Sequence, residues 1–144
     1  MRVARSRTLA AAPEDVWRVL EDPYALPRWW PLVRRVEGVG EGEWTMVLGK
    51  PGGRGIRADH VLEASEEGRL RRWALVVPGS PFERILSASV TEARLEPTGG
   101  GCALTLAIEQ RPVRWTRLAP FLLRRAARQQ LDEALDGMAR AVEA

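Results

Sequence analysis

The chain has 144 residues, 45% of them hydrophobic and 28% charged, which predicts one domain spanning 1–144 with a sizeable core and no room for a second. A single His (His60) and a single Cys (Cys102) exclude an internal disulfide and a Cys/His zinc cluster, so neither a metal nor a cofactor is predicted. Twenty-two basic against nineteen acidic residues leave a net charge of +3, too small an excess to argue for nucleic acid as a partner.

Val3 to Leu9 fits a first strand. Pro13 then suits the first position of a helix, with Glu14 and Asp15 near its positive end and Val16, Trp17 and Leu20 as an apolar stripe. Pro23 ends it, and residues 24–32 (YALPRWWPL) are too proline-broken for more than one or two short helical turns. From Val33 onward, glycine and proline clusters divide segments of partial period-two alternation: Trp44/Met46/Leu48, Ile56/Ala58/His60/Leu62, Trp73/Leu75/Val77 and Cys102/Leu104/Leu106/Ile108. This pattern predicts six further strands in an antiparallel meander. After Pro112 the period changes. Leu123, Ala127, Leu131, Leu135, Met138 and Val142 form one stripe of a long helix over about 114–142, which Pro120 kinks or starts. No segment approaches the roughly 18 apolar residues of a membrane span or reads as a signal peptide. The expectation is a soluble, cytoplasmic protein without stable membrane insertion, as monomer or homodimer.

The order strand, helix, short helix, six strands, long helix resembles the START/Bet v1-like (SRPBCC) superfamily, in its polyketide cyclase/dehydrase and lipid-transport branch. The resemblance rests on Ala-Ala-Pro-Glu-Asp-Val-Trp (11–17), Leu-Pro-Arg-Trp-Trp-Pro (26–31), Arg-Leu-Glu-Pro-Thr-Gly-Gly-Gly (94–101) before a Cys-Ala-Leu-Thr-Leu strand, and the amphipathic last helix. It implies an α+β helix-grip fold: a seven-stranded curved antiparallel sheet wrapped around a long C-terminal helix, with two short helices near the N-terminus. A mostly hydrophobic cavity would lie between them. Members bind lipids, aromatic polyketides, quinones or other apolar molecules, and some are cyclases. The resemblance carries no universal catalytic motif.

Six tryptophans stand out. Trp29 and Trp30 occupy the segment that, in the resembled family, borders the cavity, while alternation points Trp44 and Trp73 inward. Plain core packing is the competing explanation for each. His60 alternates with Ile56, Ala58 and Leu62 and so points inward, as a candidate acid/base or polar anchor, or as a satisfied structural histidine. A Cys102–His60 dyad fails on distance, since three strands of a meander separate them by about 14 Å. Arg57, Arg71, Arg72 and Arg84 are assigned to central strands, and Arg84 is a candidate to face in with Phe82 and Leu86. Trp115, Leu118 and Leu122 would lie at the cavity mouth, while Arg124, Arg125 and Arg128 read as a solvated helix face. Three functions compete: binding or carriage of a hydrophobic small molecule, a polyketide cyclase/dehydratase-type enzyme using His60 or an arginine, and an interaction protein using a Trp/Arg surface.

Overall fold

The computed structural model describes residues 1–113 and 120–143. Strand β1 (Arg2–Leu9) is followed by helix α1 (Pro13–Leu20), a 3-10 turn (Pro23–Ala25) and the single-turn helix α2 (Leu26–Trp29). Then come β2 (Val33–Gly40), β3 (Glu43–Leu48), β4 (Ile56–Glu66), β5 (Leu70–Leu75), β6 (Leu86–Thr98), β7 (Gly101–Pro112) and α3 (Pro120–Val142). The strands form one antiparallel sheet in the order β1-β7-β6-β5-β4-β3-β2. This is the α+β helix-grip architecture with its seven strands. The part of the predicted last helix at 114–119 lies outside the described residues.

Sequence dictates most of these boundaries. Pro13 occupies the first turn of α1, where its missing N–H breaks no bond, and Val16, Trp17, Val19 and Leu20 turn inward. Asp22 caps the next turn by accepting from the Tyr24 N–H at 3.0 Å. Bulges at Leu62/Ala64 in β4 and Leu86/Ala88 in β6 bend the sheet around its concave side.

Helix α3 packs on β1, β7 and α2, towards one side of the sheet. Ala127, Leu131, Ala134, Leu135 and Met138 are its buried face. They meet Leu104 and Leu106 of β7, Leu95 of β6, Leu9 of β1 and Val16 of α1 in one core. On the strand side, Arg5 and Arg7 stand opposite Leu106 and Leu104 and pair with Asp132 and Asp136 of α3. Gly137 lets α2 approach: a Cβ there would sit 2.3 Å from the Trp29 carbonyl oxygen. The concave face of β3 to β6 is left for a different purpose.

Candidate functional site

Register builds the floor of a cavity there. Trp44, His60 and Leu75 face one another on β3, β4 and β5, and Met46 faces Ala58. One rung further along, Leu62, Trp73, Thr91 and Ile108 run across β4 to β7. Facing residues share a side of the sheet, so each rung contributes its inner members together. The resulting cavity has a volume of about 360 Å³, with Trp30 and Pro31 following α2, Leu123 and Gln130 on α3, and Phe82 and Ile85 in the β5–β6 connection completing its walls. That volume lies in the range of small-molecule sites.

The lining is apolar with five polar side chains: His60, Ser89, Thr91, Gln110 and Gln130. No charged side chain lines it among the described residues. Gln110 donates to the Ser89 hydroxyl at 3.4 Å. His60 Nδ1 lies 3.0 Å from the Ala58 carbonyl oxygen. A carbonyl only accepts, so Nδ1 carries the proton and Nε2 is the acceptor of the neutral ring. Burial is the largest influence on its pKa and lowers it to about 4, against smaller opposing effects of the Ala58 carbonyl and Asp59. The ring is therefore uncharged at neutral pH.

Aromatic rings brace this wall. Trp30 stands edge-on to Trp73 at 6.0 Å and to Trp29 at 5.4 Å. Trp44 lies parallel to the His60 ring and edge-on to Trp73. The indole N–H groups of Trp17, Trp29 and Trp44 are buried without a partner among the described residues.

Of the residues singled out from sequence, Trp30, His60, Trp73 and Phe82 line the cavity. Trp29 is buried against α3 and supports Trp30 from behind. Trp44 is buried beside His60 and borders a separate small recess with Leu20 and Arg71. Leu122 is exposed, while its neighbour Leu123 is the residue in the wall. Trp115 and Leu118 lie outside the described residues.

Arg84 corrects its assignment to a central strand. It sits exposed in the turn between β5 and β6 and is absent from the lining, because β6 begins only at Leu86. The other strand arginines divide by face. Arg57 pairs with Glu37, and Arg72 with Glu63 and Glu92, in charged networks outside the cavity. Arg71, two residues before Trp73, shares its face, and its guanidinium carbon lies 5.9 Å from the Trp44 ring centroid. Burial pushes its pKa down, with Glu21 opposing.

Sequence reasoning missed Thr91, Gln110 and Gln130, and weighed Ser89 only as a triad nucleophile lacking a carboxylate partner for His60, not as a lining residue. The signal was present: Gln110 continues the period-two series through Leu104, Leu106 and Ile108, and Gln130 falls seven residues, two helical turns, after Leu123. Cys102 is fully buried at the start of β7, where burial, with Glu14 adding to it, raises its thiol pKa. Its strand is three removed from that of His60. Among the described residues no group of three or more His, Cys, Asp or Glu is placed to hold a metal ion, and no helix is long and apolar enough to cross a membrane.

Residues 1–143 match the family described as polyketide cyclase / dehydrase and lipid transport. No curated protein matches the chain. Among solved structures, TTHA0849 of Thermus thermophilus is 17% identical, with 98% of this chain and 96% of that one covered at a TM-score of 0.76. CV1439 of Chromobacterium violaceum is 20% identical over 99% and 97% of the two chains, with a TM-score of 0.74. The di-domain ARO/CYC StfQ of the steffimycin biosynthetic pathway is 18% identical over 97% of this chain and 48% of that one, with a TM-score of 0.72. At these identities the likeness is one of fold.

Proposed function

The chain belongs to the polyketide cyclase/dehydrase and lipid-transport family, and from that premise we propose that it binds a hydrophobic small molecule between α3 and the concave face of β3 to β7. The observation that carries this reading is the cavity of about 360 Å³, walled by Trp30, Met46, Trp73, Leu75 and Phe82. Unfilled apolar space on this scale forfeits dispersion contacts that a packed core would make. An apolar guest restores them and removes its own surface from water, at about 25 cal/mol per Å².

Binding is favoured over turnover by the same lining. The cyclase reading needs His60 as acid or base and a cation to hold an enolate. Among the described residues no arginine lines the cavity, and a ring with a pKa of about 4 is a weak base at neutral pH. An interaction surface built on Trp and Arg finds less support, since Trp17, Trp29, Trp30, Trp44 and Trp73 are all buried.

Titration with N-phenyl-1-naphthylamine, an uncharged fluorescent probe, tests the proposal. Saturable binding at one site is expected, with energy transfer from Trp30 and Trp73, and Ala58→Phe or Leu75→Trp should abolish it by filling the space while circular dichroism stays unchanged. Binding that persists in both folded variants would place the probe elsewhere and defeat the reading.

A further inference from the structure

We infer that the cavity selects an uncharged ligand bearing a hydroxyl group, which donates its proton to His60 Nε2, and that it discriminates against carboxylates of the same shape. This deepens the binding function proposed above and rests on it. Donors and acceptors decide the first half. His60 Nδ1 spends its proton on the Ala58 carbonyl, and Nε2 has no partner among the described residues, on a residue that forms part of the cavity wall. An imidazole in this tautomer can only accept there. The complementary group on a ligand is a donor, and a hydroxyl, phenolic or aliphatic, supplies one without bringing charge into the cavity.

Charge decides the second half. Protonating His60 to receive an anion runs against burial, which already holds the ring neutral, and the described lining offers no Arg or Lys instead. A carboxylate would leave water for apolar walls and a handful of neutral dipoles, which is strongly unfavourable. A ligand carbonyl elsewhere on the molecule is served differently. Ser89, holding the Gln110 amide through its oxygen, keeps its own proton to donate, and Thr91 and Gln130 have no side-chain partner among the described residues. His60 on β4, which in this tautomer can only accept, and the hydroxyls and amides of β6, β7 and α3, which can also donate, together suit a molecule with a hydroxyl at one end and neutral oxygen at the other.

Three probes of one shape test the inference by calorimetry at pH 7.5: 2-naphthol, 2-methoxynaphthalene and 2-naphthoate. 2-Naphthol should bind about three- to tenfold tighter than its methyl ether, the range that one net hydrogen bond supplies, and naphthoate at least about a hundredfold weaker than 2-naphthol. In His60→Phe the naphthol and ether affinities should converge, while the ether still binds. His60 is the only histidine, so nitrogen NMR of the wild-type protein reads it without a mutation: Nε2 should be the unprotonated nitrogen and should shift with 2-naphthol and not with the ether. Naphthoate binding as tightly as 2-naphthol, with proton uptake, would overturn the inference by making imidazolium the recognition group. So would equal affinity for naphthol and ether in the wild type, or an unmoved Nε2 signal. Failure of all three probes to bind would instead remove the binding function beneath it.

Discussion

The rings of His60 and Trp44, facing residues of β4 and β3, are parallel to within 9° with centroids 6.1 Å apart. Trp44 thus covers one face of the imidazole and takes it out of water, while the Ala58 carbonyl fixes its tautomer.

That burial makes stability depend on pH. The ring's pKa falls from 6.5 to about 4 in the folded chain, so the unfolded chain takes up a proton first as pH drops. Stability from this residue is complete above pH 6.5 and is lost as pH falls toward 4, by about 3 kcal/mol in all. Glu37 and Glu92, held below their ordinary values, act on the acid side of about 4.5. For Glu92 burial pulls the other way, and Arg94 and Arg72 outweigh it. Urea midpoints measured between pH 5 and 6.5 should therefore fall steeply with acid in the wild type and stay nearly flat in His60→Gln. Equal slopes in the two proteins would contradict the buried, neutral ring.

Alternation and turn residues made the sheet legible in the sequence, because period-two patterning survives wherever one face is buried. The inward positions of Trp44, His60 and Trp73 followed from it. Arg84 did not, since Pro78, Gly79 and Pro81 lie in a turn that delays β6 to Leu86, and strand parity has no meaning before that point. Trp44 and Trp73 both point inward by alternation, yet only Trp73 of the two reaches the cavity. The difference lies in neighbours from distant elements: Trp44 sits under the α1 end, against Leu20 and Leu26, which no local pattern encodes.

Leu32 has a φ of 65°, the one non-glycine residue in left-handed conformation among those described. It is 62% exposed and still contributes to the cavity wall. Its carbonyl accepts from the Gly49 N–H at 2.9 Å, which ties the turn to the end of β3. The conformation costs a β-carbon-bearing residue about 1–2 kcal/mol, and glycine would recover part of that after its own entropy loss of about 0.5–1 kcal/mol. Leu32→Gly is thus expected to raise stability by about 0.5–1 kcal/mol and to weaken N-phenyl-1-naphthylamine binding. Lower stability with unchanged binding would mean that Leu32 packs for the fold and not for the ligand.

Arg5 and Arg7 occupy inward positions of β1, where apolar residues would be expected, and meet Asp132 and Asp136 of α3. The spacings agree: two residues of strand advance about 6.8 Å and four of helix about 6 Å. Both pairs are roughly half exposed, so each contributes only about 0.2–1 kcal/mol. A double-mutant cycle on Arg5→Gln and Asp132→Asn should return a coupling in that range, shrinking in 1 M salt. A coupling of several kcal/mol, insensitive to salt, would show that water is excluded from the pair.

Gly137 lies inside α3, five residues before its end at Val142, where glycine costs about 1 kcal/mol relative to alanine. On helix propensity alone Gly137→Ala would stabilise. The contact says the reverse, because the new methyl would meet three backbone atoms of Trp29, the carbonyl oxygen at 2.3 Å and the Cα at 2.8 Å. Backbone cannot rotate aside as a side chain does, so α2 would have to lift from α3 and carry Trp29 and Trp30 with it. Overpacking of this kind costs about 1–3 kcal/mol. Chemical denaturation should therefore find Gly137→Ala less stable by about 1 kcal/mol once the gain in helix propensity is set against the clash, with probe affinity reduced as Trp30 leaves the cavity wall. The exposed Ala126→Gly variant on the same helix should lose about 1 kcal/mol of stability and leave binding intact, which separates loss of helix propensity from displacement of α2.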